Sequence, residues 1–278
     1  MLQAAEGWLR GRGAEAPRRS AELLLARVLN MNRLQLYLAH DRPMTPDERS
    51  QLRGLVARRG ELEPLAYILG DWDFLDLTLE VGPAVMIPRP ETEGLVELAL
   101  ERVPRDARCV DLGTGSGAIA LAMTQAREDL RFWAVDISAE ALELAQRNAS
   151  ACGLAERIRF VEGSFWAPLA DQVPFDFVIS NPPYVDPQLP QLLAEEVRRY
   201  EPAQALFTVP GDPTSCYREI LSGVESGLRP GGWLVLETGE AAAEPALELL
   251  AGCQFLKGVE LRDDLQKTPR YLLAERAT

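Results

Sequence analysis

The sequence predicts a doubly wound α/β fold: a mostly parallel, seven-stranded sheet preceded by a smaller helical domain, with a β-hairpin connector between them. Three observations carry this. From Cys109 onward, short apolar runs alternate with helical segments at the spacing of a parallel sheet with crossover helices. The first run ends in Asp111-Leu112-Gly113-Thr114-Gly115-Ser116-Gly117, a glycine-rich strand-to-helix turn of the kind that binds ligands in such sheets. The first 70 residues show helical spacing and no strand-like alternation.

Taken in order, residues 1–70 read as a helical bundle. Ser20 is placed to cap a segment carrying Leu23, Leu24, Val28 and Leu29, and Thr45-Pro46-Asp47-Glu48 is a capping box with proline at the first helical position. Leu52, Leu55 and Val56 follow at helical spacing, Gly60 and Pro64 punctuate, and an apolar turn over residues 65–69 ends at Gly70. His40, before Asp41-Arg42-Pro43, reads as a solvated helix exit. Residues 71–89 read as the connector. Leu75, Leu77, Leu79 and Val81 alternate with Asp76, Thr78 and Glu80 in a half-buried strand, paired with the segment around Val85-Met86-Ile87.

Residues 90–278 form the sheet domain. A helix begins after Pro88-Arg89-Pro90, with Glu91 and Glu93 in its first turn, where the helix dipole favours carboxylates. The expected strands are 109–112, 132–135, 158–161, 175–180, 233–237, 259–261 and 271–274, the last two as a hairpin. Helices are expected over 118–125, 139–151 and 216–224.

Composition narrows the chemistry. Cys109, Cys152, Cys216 and Cys253 are scattered without metal-binding spacing, and one histidine stands in 278 residues, so neither a metal site nor a histidine-dependent triad is expected. No apolar run reaches membrane-spanning length and no signal peptide is visible, which predicts a cytoplasmic protein without membrane contact. The net charge of −13 argues against stable nucleic-acid binding. It conceals an asymmetry: residues 1–60 carry 11 arginines against 6 carboxylates, and residues 61–278 carry 18 basic against 36 acidic residues. A basic appendage on an acidic body is how a separate docking surface would look.

The glycine turn is ambiguous alone, because Gly113, Gly115 and Ala118 also fit the dinucleotide pattern. Asp136, 19 residues past Gly117 at the end of the next strand, is placed to accept ribose hydroxyls in either nucleotide class. The fourth strand discriminates. It ends in Asn181-Pro182-Pro183-Tyr184, where the two prolines hold the backbone extended without N–H partners. Asn181 Oδ1 and the Pro182 carbonyl can accept both N–H groups of a planar nitrogen while Tyr184 stacks on it, which suits alkylation of an amide or amino group.

Together with Glu63-Pro64-Leu65-Ala66-Tyr67-Ile68-Leu69-Gly70, Met86-Ile87-Pro88-Arg89-Pro90-Glu91-Thr92-Glu93 and Tyr200-Glu201-Pro202, these motifs make the chain resemble the PrmC/HemK family of protein-(glutamine-N5) methyltransferases from about Leu62 to the C-terminus. The resemblance implies a Rossmann-like methyltransferase domain and S-adenosyl-L-methionine as cofactor, with S-adenosyl-L-homocysteine as product and no metal. It further implies class I peptide chain release factors as protein partners, methylated on the glutamine of a Gly-Gly-Gln motif in translation termination, by a monomeric enzyme whose helical domain docks the substrate. It assigns Gly113, Thr114, Gly115, Ser116 and Gly117 to the methionine part of the cofactor, Asp136 to the ribose, Ile137 to the cofactor, Trp166 to the adenine region, and Asn181, Pro182, Pro183 and Tyr184 to substrate, with Asn181, Pro182 and Tyr184 catalytic and Asn181 also touching cofactor. Phe165 stands where the family commonly has aspartate, and residues 207–213 replace a Gly-rich acidic stretch. Two other readings are a base-modifying methyltransferase, which needs a basic channel, and a non-catalytic cofactor-binding protein, in which parts of the site should be missing.

Overall fold

Residues 2–69 build five helices: α1 (Leu2–Gly11), α2 (Pro17–Leu29), α3 (Arg33–Leu38), α4 (Pro46–Gly60) and α5 (Leu65–Leu69). The computed structural model describes residues 1–39 and 41–278, so the reading of His40 falls outside the described residues. The capping box of α4 forms as its sequence requires: Glu48 N donates to Thr45 Oγ1 at 3.1 Å and Thr45 N donates to Glu48 Oε2 at 2.8 Å. Ser20 is not a cap. Pro17 starts α2 after Ala16, so Ser20 falls inside the helix, buried, with its hydroxyl donating to the Glu15 carbonyl.

By contact, the chain divides into Met1–Asp71 with Leu193–Tyr200, and Trp72–Leu192 with Glu201–Thr278. The core of the first unit is Leu9, Ala21, Leu24, Leu52, Val56 and Ile68. Arg59 lies within it at 2% exposure, where a charged group needs full pairing. Its guanidinium meets Glu196 at 2.6 Å and donates to the Glu63 carbonyl at 2.9 Å, and Tyr200 Oη donates to the Glu61 carbonyl at 2.9 Å. These bonds explain why residues 193–200 group with the helices rather than with their sequence neighbours.

After α5, β1 (Asp71–Phe74) and β2 (Leu77–Glu80) form a two-stranded sheet closed through Leu75 and Asp76. Leu77 and Leu79 are buried and Thr78 and Glu80 exposed, as alternation predicts, but the partner strand differs from the expectation. The segment around Val85-Met86-Ile87 is not a strand: Val85 N closes a turn onto Gly82 O, and β1 supplies the pairing through a shorter connection. The chain continues through α6 (Pro90–Arg102), β3 (Arg108–Leu112), α7 (Ala118–Ala126), β4 (Arg131–Asp136), α8 (Ala139–Ala151), β5 (Ile158–Glu162) and β6 (Phe175–Ser180). It ends through α9 (Glu195–Tyr200), α10 (Ala203–Leu206), α11 (Ser215–Gly227), β7 (Leu228–Glu237), α12 (Glu240–Ala251), β8 (Leu256–Asp263) and β9 (Pro269–Arg276).

The large sheet is mostly parallel and Rossmann-like, in the order β5-β4-β3-β6-β7-β9-β8, with β8 and β9 forming the antiparallel edge. Alternate side chains enter two apolar layers. Cys109, Phe177 and Ile179 join Leu95, Val96, Ile119 and Met123 on one face; Val110 and Val178 join Tyr217, Ile220, Val224, Ala246 and Leu250 on the other, as does Phe175, because the β6–β7 register shifts between Phe175 and Phe177. Burial on both faces is why these strands read as continuous apolar runs.

Candidate active site

Strand order creates the site. From β3 the chain winds outward to β4 and β5, then returns to β6 on the other side of β3, so the loops leaving β3 and β6 diverge. Between them opens a cavity of about 260 Å³ in the sheet unit.

The β3 loop lines one side. Gly113, Gly115 and Gly117 have φ of 81°, 55° and 82°, a region that side-chain-bearing residues rarely adopt. Gly113 N and Thr114 N donate to the Val135 carbonyl at 2.8 and 2.9 Å, tying the loop to β4. At the end of β4, Asp136 accepts one backbone N–H on each oxygen, from Gly115 at 2.8 Å and Ser138 at 2.9 Å. Each carboxylate oxygen keeps a further acceptor position. Burial raises the Asp136 pKa, and the Ser138 and Gly115 N–H groups oppose that rise. Gly113, Thr114, Gly115, Ser116, Asp136 and Ile137 all line the cavity. Gly117 instead begins α7, where a Cβ would lie 3.2 Å from Leu121 and 3.3 Å from Ala145.

The β6 loop lines the other side through Asn181 and Pro183. Pro182, between them in sequence, is buried and is not a lining residue. Tyr184 departs from the stacking role expected of it: it is not a lining residue, and its ring packs so closely on Gly239 that a Cβ there would lie 2.7 Å away. Burial pushes its phenol above the ordinary range. Trp166 also departs from its expected place. Its Nε1 donates to the Ile220 carbonyl at 2.7 Å and its ring sits on the α11 glycines Gly223 and Gly227, while Phe165, with φ of 39°, faces the cavity instead. The four-residue spacing of those glycines was the available signal for a flat helix surface. Residues 207–213, without a counterpart to carry over, fold back on the chain after Tyr184: Thr208 N donates to the Val185 carbonyl at 2.9 Å and Gly211 N to Asp186 Oδ1 at 3.1 Å.

Several contributors escaped the sequence reading. Asn148, in α8, donates to the Ser116 carbonyl at 3.0 Å and exchanges bonds with the Glu80 backbone, which fixes the loop end to β2. Glu201 forms an ion pair with Arg89 and accepts from Ile87 N at 3.2 Å, so the Pro-Arg-Pro and Tyr-Glu-Pro motifs meet in space. Thr92, on the cavity wall, donates to Glu237 Oε2 at 2.7 Å and accepts from Asn181 Nδ2 at 3.2 Å. Glu237 had one signal: it ends an apolar strand at the carboxyl edge, as Asp111 stands one residue before the end of β3. Burial pushes both carboxyls up to about 7; Asp111 has the Thr114 hydroxyl at 2.6 Å as its side-chain donor and Glu237 that of Thr92. Among the described residues there is no cluster of three or more metal-ligating side chains, and no helix is long and apolar enough to cross a membrane.

Residues 1–70 match the family model for the PrmC N-terminal domain, and residues 92–199 match that for the methyltransferase small domain. The chain is 42% identical to the release factor glutamine methyltransferase of Geobacter sulfurreducens over 255 residues, covering 92% of this chain and 88% of that one. Against the protein of the same name from Chlorobaculum tepidum it is 42% identical over 268 residues, covering 93% and 90%. Among solved structures, the hMettl16 catalytic domain superposes with a TM-score of 0.56 at 20% identity, covering 81% of this chain and 82% of that one. This last likeness is one of fold.

Proposed function

The chain belongs to the release factor glutamine methyltransferases, and on that premise we propose that the cavity between the β3 and β6 loops holds S-adenosylmethionine and the side chain of the accepting glutamine together. The protein is an S-adenosylmethionine-dependent enzyme that methylates glutamine in peptide chain release factors. The observation that carries the site assignment is that Gly113–Ser116, Asp136 and Asn181, from three strand ends, line one cavity.

The residues present fit the cofactor. Positive-φ glycines bring backbone close to whatever lies above the loop, and Asp136, on the cavity wall, has acceptor capacity for ribose hydroxyls beside its bonds to Gly115 and Ser138. Phe165 takes the adenine-side place expected of Trp166. When bound, the cofactor supplies a methyl group already activated by its sulfonium. A glutamine amide nitrogen is a weak nucleophile because its lone pair is delocalised into the carbonyl, so the chain's task is alignment, which contributes on the order of 7–11 kcal/mol in well-oriented reactions. Asn181 Oδ1 and the Pro182 carbonyl accept the two amide N–H groups and stabilise positive charge developing on that nitrogen. Tyr184 anchors the end of the tetrapeptide by packing on Gly239. The substrate is the glutamine of the Gly-Gly-Gln motif, methylated at N5, and the basic helical unit docks the release factor.

The test supplies labelled cofactor with a release factor, with the same factor carrying alanine for that glutamine, and with RNA. Label is expected in the first alone; label in RNA would overturn the reading. Asn181→Ala should lower turnover about 10²- to 10³-fold with the melting temperature kept, and Asn181→Asp should retain part of the activity. Near-normal turnover in the alanine variant would return Asn-Pro-Pro-Tyr to a strand terminator.

A further inference from the structure

Asn181 can serve as an acceptor only if its amide is held one way round, since rotation by half a turn replaces Oδ1 with an N–H donor. Its Nδ2 donates to Thr92 Oγ1 at 3.2 Å, and the Thr92 hydroxyl donates to Glu237 Oε2 at 2.7 Å. Thr92 and Glu237 are 4% and 1% exposed, so neither exchanges these partners freely with water. A hydroxyl has one proton, and an ionised carboxylate has none to give. With that proton committed to Glu237, the Thr92 oxygen can only accept, and it accepts from the nitrogen end of Asn181. We propose that Glu237 and Thr92 are positioning residues that fix the amide orientation of Asn181, with Nδ2 inward and Oδ1 turned to the substrate side.

This inference rests on the reading of Asn181 as the substrate acceptor, and it adds two residues from distant elements, the first turn of α6 and the end of β7. It also gives the relay a polarity that protonation reverses. A protonated Glu237 can donate to Thr92, which frees the Thr92 proton to point at Asn181 and favours the wrong face of the amide. Burial pushes the Glu237 carboxyl up to about 7. Thr92, Arg270 and Arg89 pull it down and Glu91 pushes it up, and the buried phenols of Tyr184 and Tyr217 and the partly buried phenol of Tyr271 stand in its field. Turnover should therefore fall as pH drops through about 7.

The experiment measures turnover on intact release factor, KM for that factor, cofactor affinity by calorimetry and melting temperature in four variants. Thr92→Val keeps the shape and removes the hydroxyl; kcat should fall about 10- to 100-fold, the scale of a small misplacement of a reacting group, with KM and cofactor affinity within about twofold of the parent. Thr92→Ser restores the hydroxyl and should recover most of that loss. Glu237→Gln can present either end of its own amide to Thr92, so turnover should fall and the acid limb of the pH profile should flatten. An acid limb unchanged in Glu237→Gln, or a Thr92→Val enzyme with undiminished kcat, overturns the relay. Asn181→Ala separates the two levels: if it too keeps its turnover, the reading of Asn181 itself fails, whereas if only it loses turnover, the relay alone fails. Should Thr92→Val not fold, the pH profile of Glu237→Gln still decides.

Discussion

Buried glutamates in the two units are treated in opposite ways. Glu22, 2% exposed in the helical unit, accepts from Arg18 Nε at 2.6 Å, Arg33 Nη2 at 2.6 Å and Tyr37 Oη at 2.7 Å, and these donors, Arg18 foremost, bring its pKa down to about 2. Glu237, 1% exposed in the sheet unit, has the Thr92 hydroxyl and is pushed up to about 7. The difference separates a carboxylate that holds structure from one poised for function: the first is satisfied by several donors, the second is left short of them beside a cavity. Asp111 belongs with Glu237, having the Thr114 hydroxyl and lying under the glycine loop.

The largest effect that would sharpen this contrast is in the pH dependence of stability. Glu237 has a folded pKa above its unfolded value, so its contribution is fully present below about pH 4.5 and is lost as pH rises through about 7. The loss amounts to about 3 kcal/mol, from the size of the shift. Glu237→Gln should therefore melt higher than the parent at pH 8 and alongside it near pH 4.5, while working more slowly, a trade of activity for stability. Equal melting curves at both pH values would break the comparison.

Next comes cofactor affinity. On the proposed role of Asp136 as ribose acceptor, Asp136→Ala should weaken S-adenosylmethionine binding about 10- to 150-fold by calorimetry. Unchanged affinity would place the ribose elsewhere in the cavity.

The smallest effect belongs to the satisfied carboxylate. Its folded pKa is depressed, so the stability it lends is present above about pH 4.5 and lost as pH falls toward about 2. Glu22→Gln should lower the melting temperature of the helical unit by about 4–8 °C at pH 7 and leave cofactor affinity unchanged, because Arg18 and Arg33 remain half exposed and can be rehydrated. A loss of cofactor affinity in this variant would contradict a purely structural role.

The strands and the loops they carry were legible because local chemistry writes them. Apolar runs such as 177–179 can be little else than buried strands, and three glycines in five residues mark a loop with positive φ wherever it falls. Thr45 and Glu48 announce a helix start through bonds between near neighbours. Where a choice depended on distant partners, the reading slipped. Ser20 looks like a cap until Pro17 starts the helix three residues earlier. Trp166 looks like a cofactor residue until Gly223 and Gly227 offer it a seat.

By itself the sequence determined the alternation of elements, the glycine loop, Asp136 at its strand end and the rigid Asn-Pro-Pro-Tyr terminus, since each depends on residues within a few positions of one another. Only the tertiary structure decided that Asn181 faces Thr92 across 89 residues and that Thr92 faces Glu237 across 145. The physical reason is that a hydrogen bond is set by where strand ends meet, and that meeting follows from the β5-β4-β3-β6-β7 order of the sheet, which the chain acquires only on folding.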